Sequence, residues 1–135
     1  MKVIAKEDLI IKDSMCLSFY GADIWFEQLD TLNIYKDVVI EKFLKDMNTI
    51  KKPSFTGLMA INLDETLVDL ELVAILINNL QDAAKYIRKV VFVGLDRKVK
   101  NMVNSMIKKL DQPIGFIYAF ENDYEKAKLW LVKGQ

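Results

Sequence analysis

From position 55 onward the apolar positions fall into short runs that alternate with segments of helical period. Phe55 to Leu63 is mostly apolar, Arg88 to Leu95 contains the unbroken Val90-Val91-Phe92-Val93, and Ile114 to Phe120 is a third such run. Runs of this kind, bounded by turn residues, predict strands covered on both faces. Between them Asp69 to about Tyr86 reads as a long helix with Asp69 as N-cap. Leu70, Val73, Leu76, Ile77, Leu80, Ala84 and Ile87 share its core face at about 100° per residue. Asp96 to about Leu110 reads as the next helix, with Val99, Met102, Val103, Met106, Ile107 and Leu110 in one stripe. Asn122 or Asp123 starts a last helix. This order is βαβαβα, and right-handed crossovers bring the loops Asp64 to Asp69, Gly94 to Arg97 and Glu121 to Asp123 to one sheet edge.

The first fifty positions are less regular. Leu9 to Lys12 and Met15 to Tyr20 read as short strands separated by Asp13-Ser14, and Gly21 interrupts the pattern. Ala22 to Ile34 fits neither period. Asp37 is the expected N-cap of a helix carrying Val39, Ile40, Phe43, Leu44, Met47 and Ile50 on one face. Pro53 and Pro113 each separate a helix from the next strand. Positions 1–135 are therefore expected to form a single α/β domain with a mainly parallel sheet, flanking helices and antiparallel N-terminal strands.

Composition narrows the chemistry. Lysine plus arginine and aspartate plus glutamate number 19 each among 135 residues. This balance gives no electrostatic reason to expect nucleic acid or an anionic membrane as partner. There is no histidine, which removes the commonest general base and metal ligand. Cys16, the one cysteine, excludes a disulfide framework and any multi-cysteine metal site, and its apolar neighbours predict a packed thiol. Lys2, Lys6, Glu7 and Asp8 put charge within the first few residues, unlike a signal peptide, and no apolar run approaches the roughly 20 residues of a membrane span. Cytoplasmic residence is the default expectation, with no cofactor or metal.

Several pieces, taken in order, resemble the SpoIIAA-like branch of the STAS (anti-sigma-factor-antagonist) superfamily. They are Ile61-Asn62-Leu63 followed by Val68-Asp69 and a helix, then Ile87 to Leu95, and a finish from Phe120 through Glu121-Asn122-Asp123 to Trp130-Leu131. The resemblance spans 55–132. It implies a STAS-like fold and a non-catalytic regulatory or protein-binding role, with an anti-sigma or kinase-type regulator, or a second copy of the chain, as partner. Well-understood members carry Asp-Ser-Ser-Gly at the start of the helix after the second core strand, and phosphorylation of its second serine controls partner binding. Here the corresponding residues are Asp69-Leu70-Glu71-Leu72. Glu71 replaces the phosphorylatable serine, so a phospho-switch at that position is chemically impossible.

The expected partner surface comprises Asp64, Glu65 and Thr66, the helix start Asp69, Leu70, Glu71 and Leu72 with Ile75 and Asn79, and the loop Gly94, Leu95, Asp96 and Arg97. Ile75 falls in the polar arc of its helix and Leu72 at its edge, which suggests a docking patch, although scattered surface aliphatics need no function. The acids of this region are expected as helix caps and loop solvation, with oxygen ligation of a divalent cation as the lesser alternative. Asn62-Leu63-Asp64-Glu65-Thr66 mimics a phosphatase motif, but Asn62 cannot be the carboxylate nucleophile that chemistry needs. An alternative function is a carrier of an apolar ligand or lipid, using Tyr20, Trp25, Phe26 and Tyr35. A third is an enzyme with an acid–base pair such as Asp64 and Asp69.

Overall fold

A computed structural model of the chain describes residues 1–134. A five-stranded sheet runs in the order β1-β2-β3-β4-β5, with β1 antiparallel to β2 and the remaining neighbours parallel. The strands are β1 (Met15–Phe19), β2 (Ala22–Gln28), β3 (Leu58–Asn62), β4 (Lys89–Val93) and β5 (Ile117–Phe120). The helices are α1 (Lys36–Ile50), α2 (Leu70–Asp82), α3 (Arg97–Lys108) and α4 (Tyr124–Val132).

Tyr20 and Gly21 join β1 to β2, and both have positive φ, 49° and 79°. That is the two-residue turn whose twist suits a hairpin. The ambiguous segment from Ala22 resolves as β2, an inner strand between β1 and β3. Ile24, Trp25, Phe26 and Glu27 are consecutively buried there, so no period of two is visible. The expected strand Leu9 to Lys12 is not formed. That stretch is coil, and only Met15–Phe19 pairs with β2. β1 is an edge strand with little over it, so Cys16 is exposed and not packed as expected.

Alternate strand residues divide the interior in two. Trp25, Met59, Ile61, Val90 and Phe92 pack with α1, α2 and α3. Ile24, Phe26, Ala60, Val91 and Val93 pack with Ala127 and Leu131 of α4 on the other face. Three successive crossovers of one hand place three helices on one side, and α4, which follows the last strand, covers the other.

Asp69, Asp96 and Asp123 cap their helices, accepting from the backbone N–H groups of Leu72, of Val99, and of Glu125 and Lys126. Asp37 does not cap α1. Tyr35 occupies the cap position, and Asp37 lies within the first turn, paired with Lys6 at 2.5 Å. The helix from Asp69 ends at Asp82, and Ala84–Tyr86 continues as a single 3-10 turn. Among the described residues no helix is long and apolar enough to cross a membrane.

Candidate functional site

The C-terminal ends of β2, β3 and β4 meet at one edge, where their loops are laced together. Asp64 N–H donates to Asn62 Oδ1 at 3.0 Å, closing a turn directly after β3. Thr31 N–H donates to the Asp64 carbonyl, Asn33 N–H to that of Glu65, and Leu67 N–H to that of Asn33. Thr66 Oγ1 donates to the Leu29 carbonyl at 2.6 Å and accepts from Leu32 N–H at 3.1 Å. Gly94, at φ 86°, lies so close to Asp64 that a Cβ there would sit 2.6 Å from the Asp64 nitrogen. Gly94 N–H donates to Asn122 Oδ1, and the Asn122 amide donates to the Leu95 carbonyl. A cleft of about 320 Å³ remains, lined by Asn62, Asp64, Gly94, Asp96, Asn122 and Tyr124.

The expected partner surface is brought together only in part. Asp64, Glu65, Leu70, Glu71, Asp96 and Arg97 are exposed, and Thr66, Asp69 and Gly94 are half-buried. Leu72 is 0 % exposed and Leu95 is also buried, so neither can contact a partner. α2 lies between α1 and α3, which buries a wider arc than a helix lying on a sheet alone. Conversely Leu70, assigned to the core face from its spacing, is 55 % exposed, because it stands at the first turn beyond the packed region. Ile75 is half-buried, and the Asn79 amide donates back to its carbonyl at 2.7 Å. Asp69 is held below the usual carboxylate range by the Leu72 N–H and then by Lys36, whose ammonium is 2.9 Å away. Glu71 lies 3.4 Å from the same ammonium. A cap held as carboxylate is poorly suited to serve as a general acid.

The four aromatics do not line one cavity. Tyr20 is at the exposed hairpin tip. Trp25 stacks edge-on against Phe55 on the three-helix face, while Phe26 meets Tyr124 on the α4 face. Tyr35 donates its hydroxyl to the Ile4 carbonyl at 2.6 Å.

A second polar assembly was not anticipated from the sequence. Glu27 of β2 is 0 % exposed and faces α1. Trp25 Nε1–H donates to its Oε1 at 2.9 Å, whereas Oε2 receives no donor. Next to it stands Asp46 of α1, whose Oδ2 accepts from Ser14 Oγ at 2.9 Å and from Lys42 Nζ at 2.8 Å. Burial pushes the Glu27 carboxyl up to about 9, and the neighbouring Asp46 adds to the effect. Burial opposes ionisation of Asp46 too, but hydrogen bonds from Glu27, Lys42 and Ser14 outweigh it and hold its carboxyl below the usual range. Burial and the neighbouring Asp46 thus both favour the neutral form of Glu27, while Asp46 favours its charged form.

Ser14 and Lys42, 2.7 Å apart, have the outline of a nucleophile and base. The Ser14 hydroxyl is saturated, however. It donates to Asp46 and accepts from both Lys42 and Gln28 N–H. With its lone pairs occupied and Lys42 bound to a carboxylate, the arrangement ties the segment before β1 and helix α1 to the end of β2. The signal in the sequence was Glu27 within the apolar run Ile24-Trp25-Phe26, together with Lys42 and Asp46 one helical turn apart.

Among the described residues no group of three or more cysteine, aspartate or glutamate side chains is placed to hold a metal ion. No protein-family model, curated protein or solved structure matches the chain.

Proposed function

We propose that the protein is a non-catalytic binding or regulatory module of the STAS/SpoIIAA-like type, docking a protein partner at the C-terminal sheet edge around the start of α2. The carrying observation is the exposure of three aliphatic side chains on those loops. Ile34, Leu67 and Leu70 are 43 %, 53 % and 55 % exposed. The bridge between Asn33 and Thr66 sets Ile34 beside Leu67, and Leu70 follows within a turn. Glu65, Asp69 and Glu71 surround them, giving the apolar centre and polar rim of a protein interface. Glu71 keeps a permanent negative charge where the resembled family carries a regulatory serine, so docking here is constitutive.

Affinity enrichment from source cells with Leu67→Asp/Leu70→Asp beside the native chain tests the reading. Both side chains are exposed, so the melting temperature should hold while one specific partner is lost. An identical set of bound proteins from the two baits would refute the proposed surface.

A further inference from the structure

The same edge already holds a peptide. Residues 1–5 form neither helix nor strand and pass over the loop that follows β2. The Asn33 side chain clasps their main chain at two points. Its Nδ2 donates to the Lys2 carbonyl at 2.8 Å, and its Oδ1 accepts from Ile4 N–H at 3.2 Å. Tyr35 donates its hydroxyl to the Ile4 carbonyl. Met1 lies in a cleft of about 210 Å³ shared with Leu63, Thr66, Leu67 and Leu95. Lys6, two positions beyond Ile4, pairs with Asp37 at 2.5 Å.

Asn33 is prepared for this role. It sits at φ 58°, in the left-handed region that asparagine tolerates better than most residues. Its main-chain N–H and carbonyl are taken up by Glu65 and Leu67. The side-chain amide is thus fixed from behind and presents one donor and one acceptor outward. Such a pair reads the carbonyl of one residue and the N–H of the residue two further on, which any extended peptide offers.

The held segment is shallow. Met1 and Val3 are largely exposed, and only Ile4 is half-buried. Little apolar area opposes its release, so the contact is suited to exchange.

We propose that this edge binds an extended segment of the partner, read through its main chain by Asn33 and Tyr35, with an apolar residue at the Met1 position and a basic residue five positions further on, and that residues 1–6 occupy the groove in cis. The inference rests on the docking reading above and specifies the partner's form. Asp37 takes the basic side chain, and the cleft beside Leu67 takes an apolar one. Cis occupancy lowers the apparent affinity for any peptide added in trans by the fraction of time the groove is open.

The test uses the full chain carrying Ile4→Pro with Lys6→Glu. The first change removes the N–H that Asn33 accepts, and the second repels Asp37, so the segment is released without altering the groove. Hydrogen exchange at residues 1–8 reports the release. A fluorescent peptide with the native sequence of residues 1–8 is then titrated by anisotropy. The released chain should bind at least about tenfold more tightly than the native chain. Adding Asn33→Gly, which keeps the positive φ, or Tyr35→Phe should reverse the gain. A released chain that ignores millimolar peptide would overturn the proposal, as would equal binding by released and native chains. Either result leaves the docking reading standing, because that reading falls only if Leu67→Asp/Leu70→Asp retains its partner.

Discussion

The two polar assemblies of this molecule handle charge in opposite ways. At the sheet edge, Asp64, Glu65, Glu71 and Asp96 stand exposed to water and Asp69 is half-buried, and the loops are held by main-chain bonds and short caps. On the three-helix face, Glu27 is fully buried beside the half-buried Asp46, and burial drives Glu27 toward its neutral form. Exposed carboxylates cost the fold little and contribute little. A buried carboxyl has to surrender its charge or find a partner, and Glu27 is driven toward the neutral form. The edge is therefore sensitive to backbone shape, and the buried cluster to proton count.

The largest expected effect tests the first half of that contrast. Gly94→Ala places a Cβ 2.6 Å from the Asp64 nitrogen and 2.7 Å from its Cα, at a φ of 86°. Both contacts are to backbone, which cannot turn aside as a flexible side chain could. The left-handed strain and the overlap together should cost roughly 3–4 kcal/mol, measured by urea unfolding. A loss within the error of the fit would show that the loops after β3 and β4 are free to separate.

The second prediction concerns the buried pair. Glu27 has its ordinary value in the unfolded chain and about 9 in the folded one. Between these values the folded state binds the extra proton, so stability falls as pH rises from about 4.5 to about 9 and levels off beyond. The limiting slope is about 1.4 kcal/mol per pH unit. Glu27→Gln reproduces the protonated shape, with an amide oxygen for Trp25 and an amide N–H for Asp46, and does not titrate. The variant should be more stable at pH 7 by on the order of 2 kcal/mol, with a flatter stability profile across that window. A profile as steep as that of the native chain would locate the pH dependence elsewhere.

How much of this was legible beforehand follows from how local each feature is. The caps Asp69 and Asp96 bond to N–H groups three residues away, so spacing alone disclosed them. The apolar stripe of α3 was equally plain, since every member packs into the core. β2 was hidden because an inner strand buried on both faces has no alternation to read. Leu72 was misplaced because its burial depends on α1 and α3 as neighbours, which a helical wheel does not contain. The Glu27 assembly joins Ser14, Glu27 and Asp46 across elements, with the Ser14–Asp46 bond spanning 32 positions. Nothing in the sequence indicates which acid Glu27 faces, only that an acid lies in an apolar run. The clasp of Asn33 on Lys2 and Ile4 was hidden for the same reason, because its partners are 29 and 31 positions away.

The smallest effect sharpens the comparison by making the same chemical change in both places. Asp96 accepts from Val99 N–H at 2.9 Å and stands exposed at the start of α3. Asp96→Ala removes the cap and should cost about 1 kcal/mol. Asp96→Asn should cost only a few tenths, since asparagine caps nearly as well and only the attraction to the helix dipole is lost. Removing a carboxylate charge thus slightly destabilises the edge, whereas the matching amide at Glu27 stabilises the cluster at neutral pH. The sign of the difference is the discriminating quantity. Thermal melts of Asp96→Asn and Glu27→Gln at pH 7 should move in opposite directions, and a shift of both the same way would mean that burial is not what separates the two assemblies.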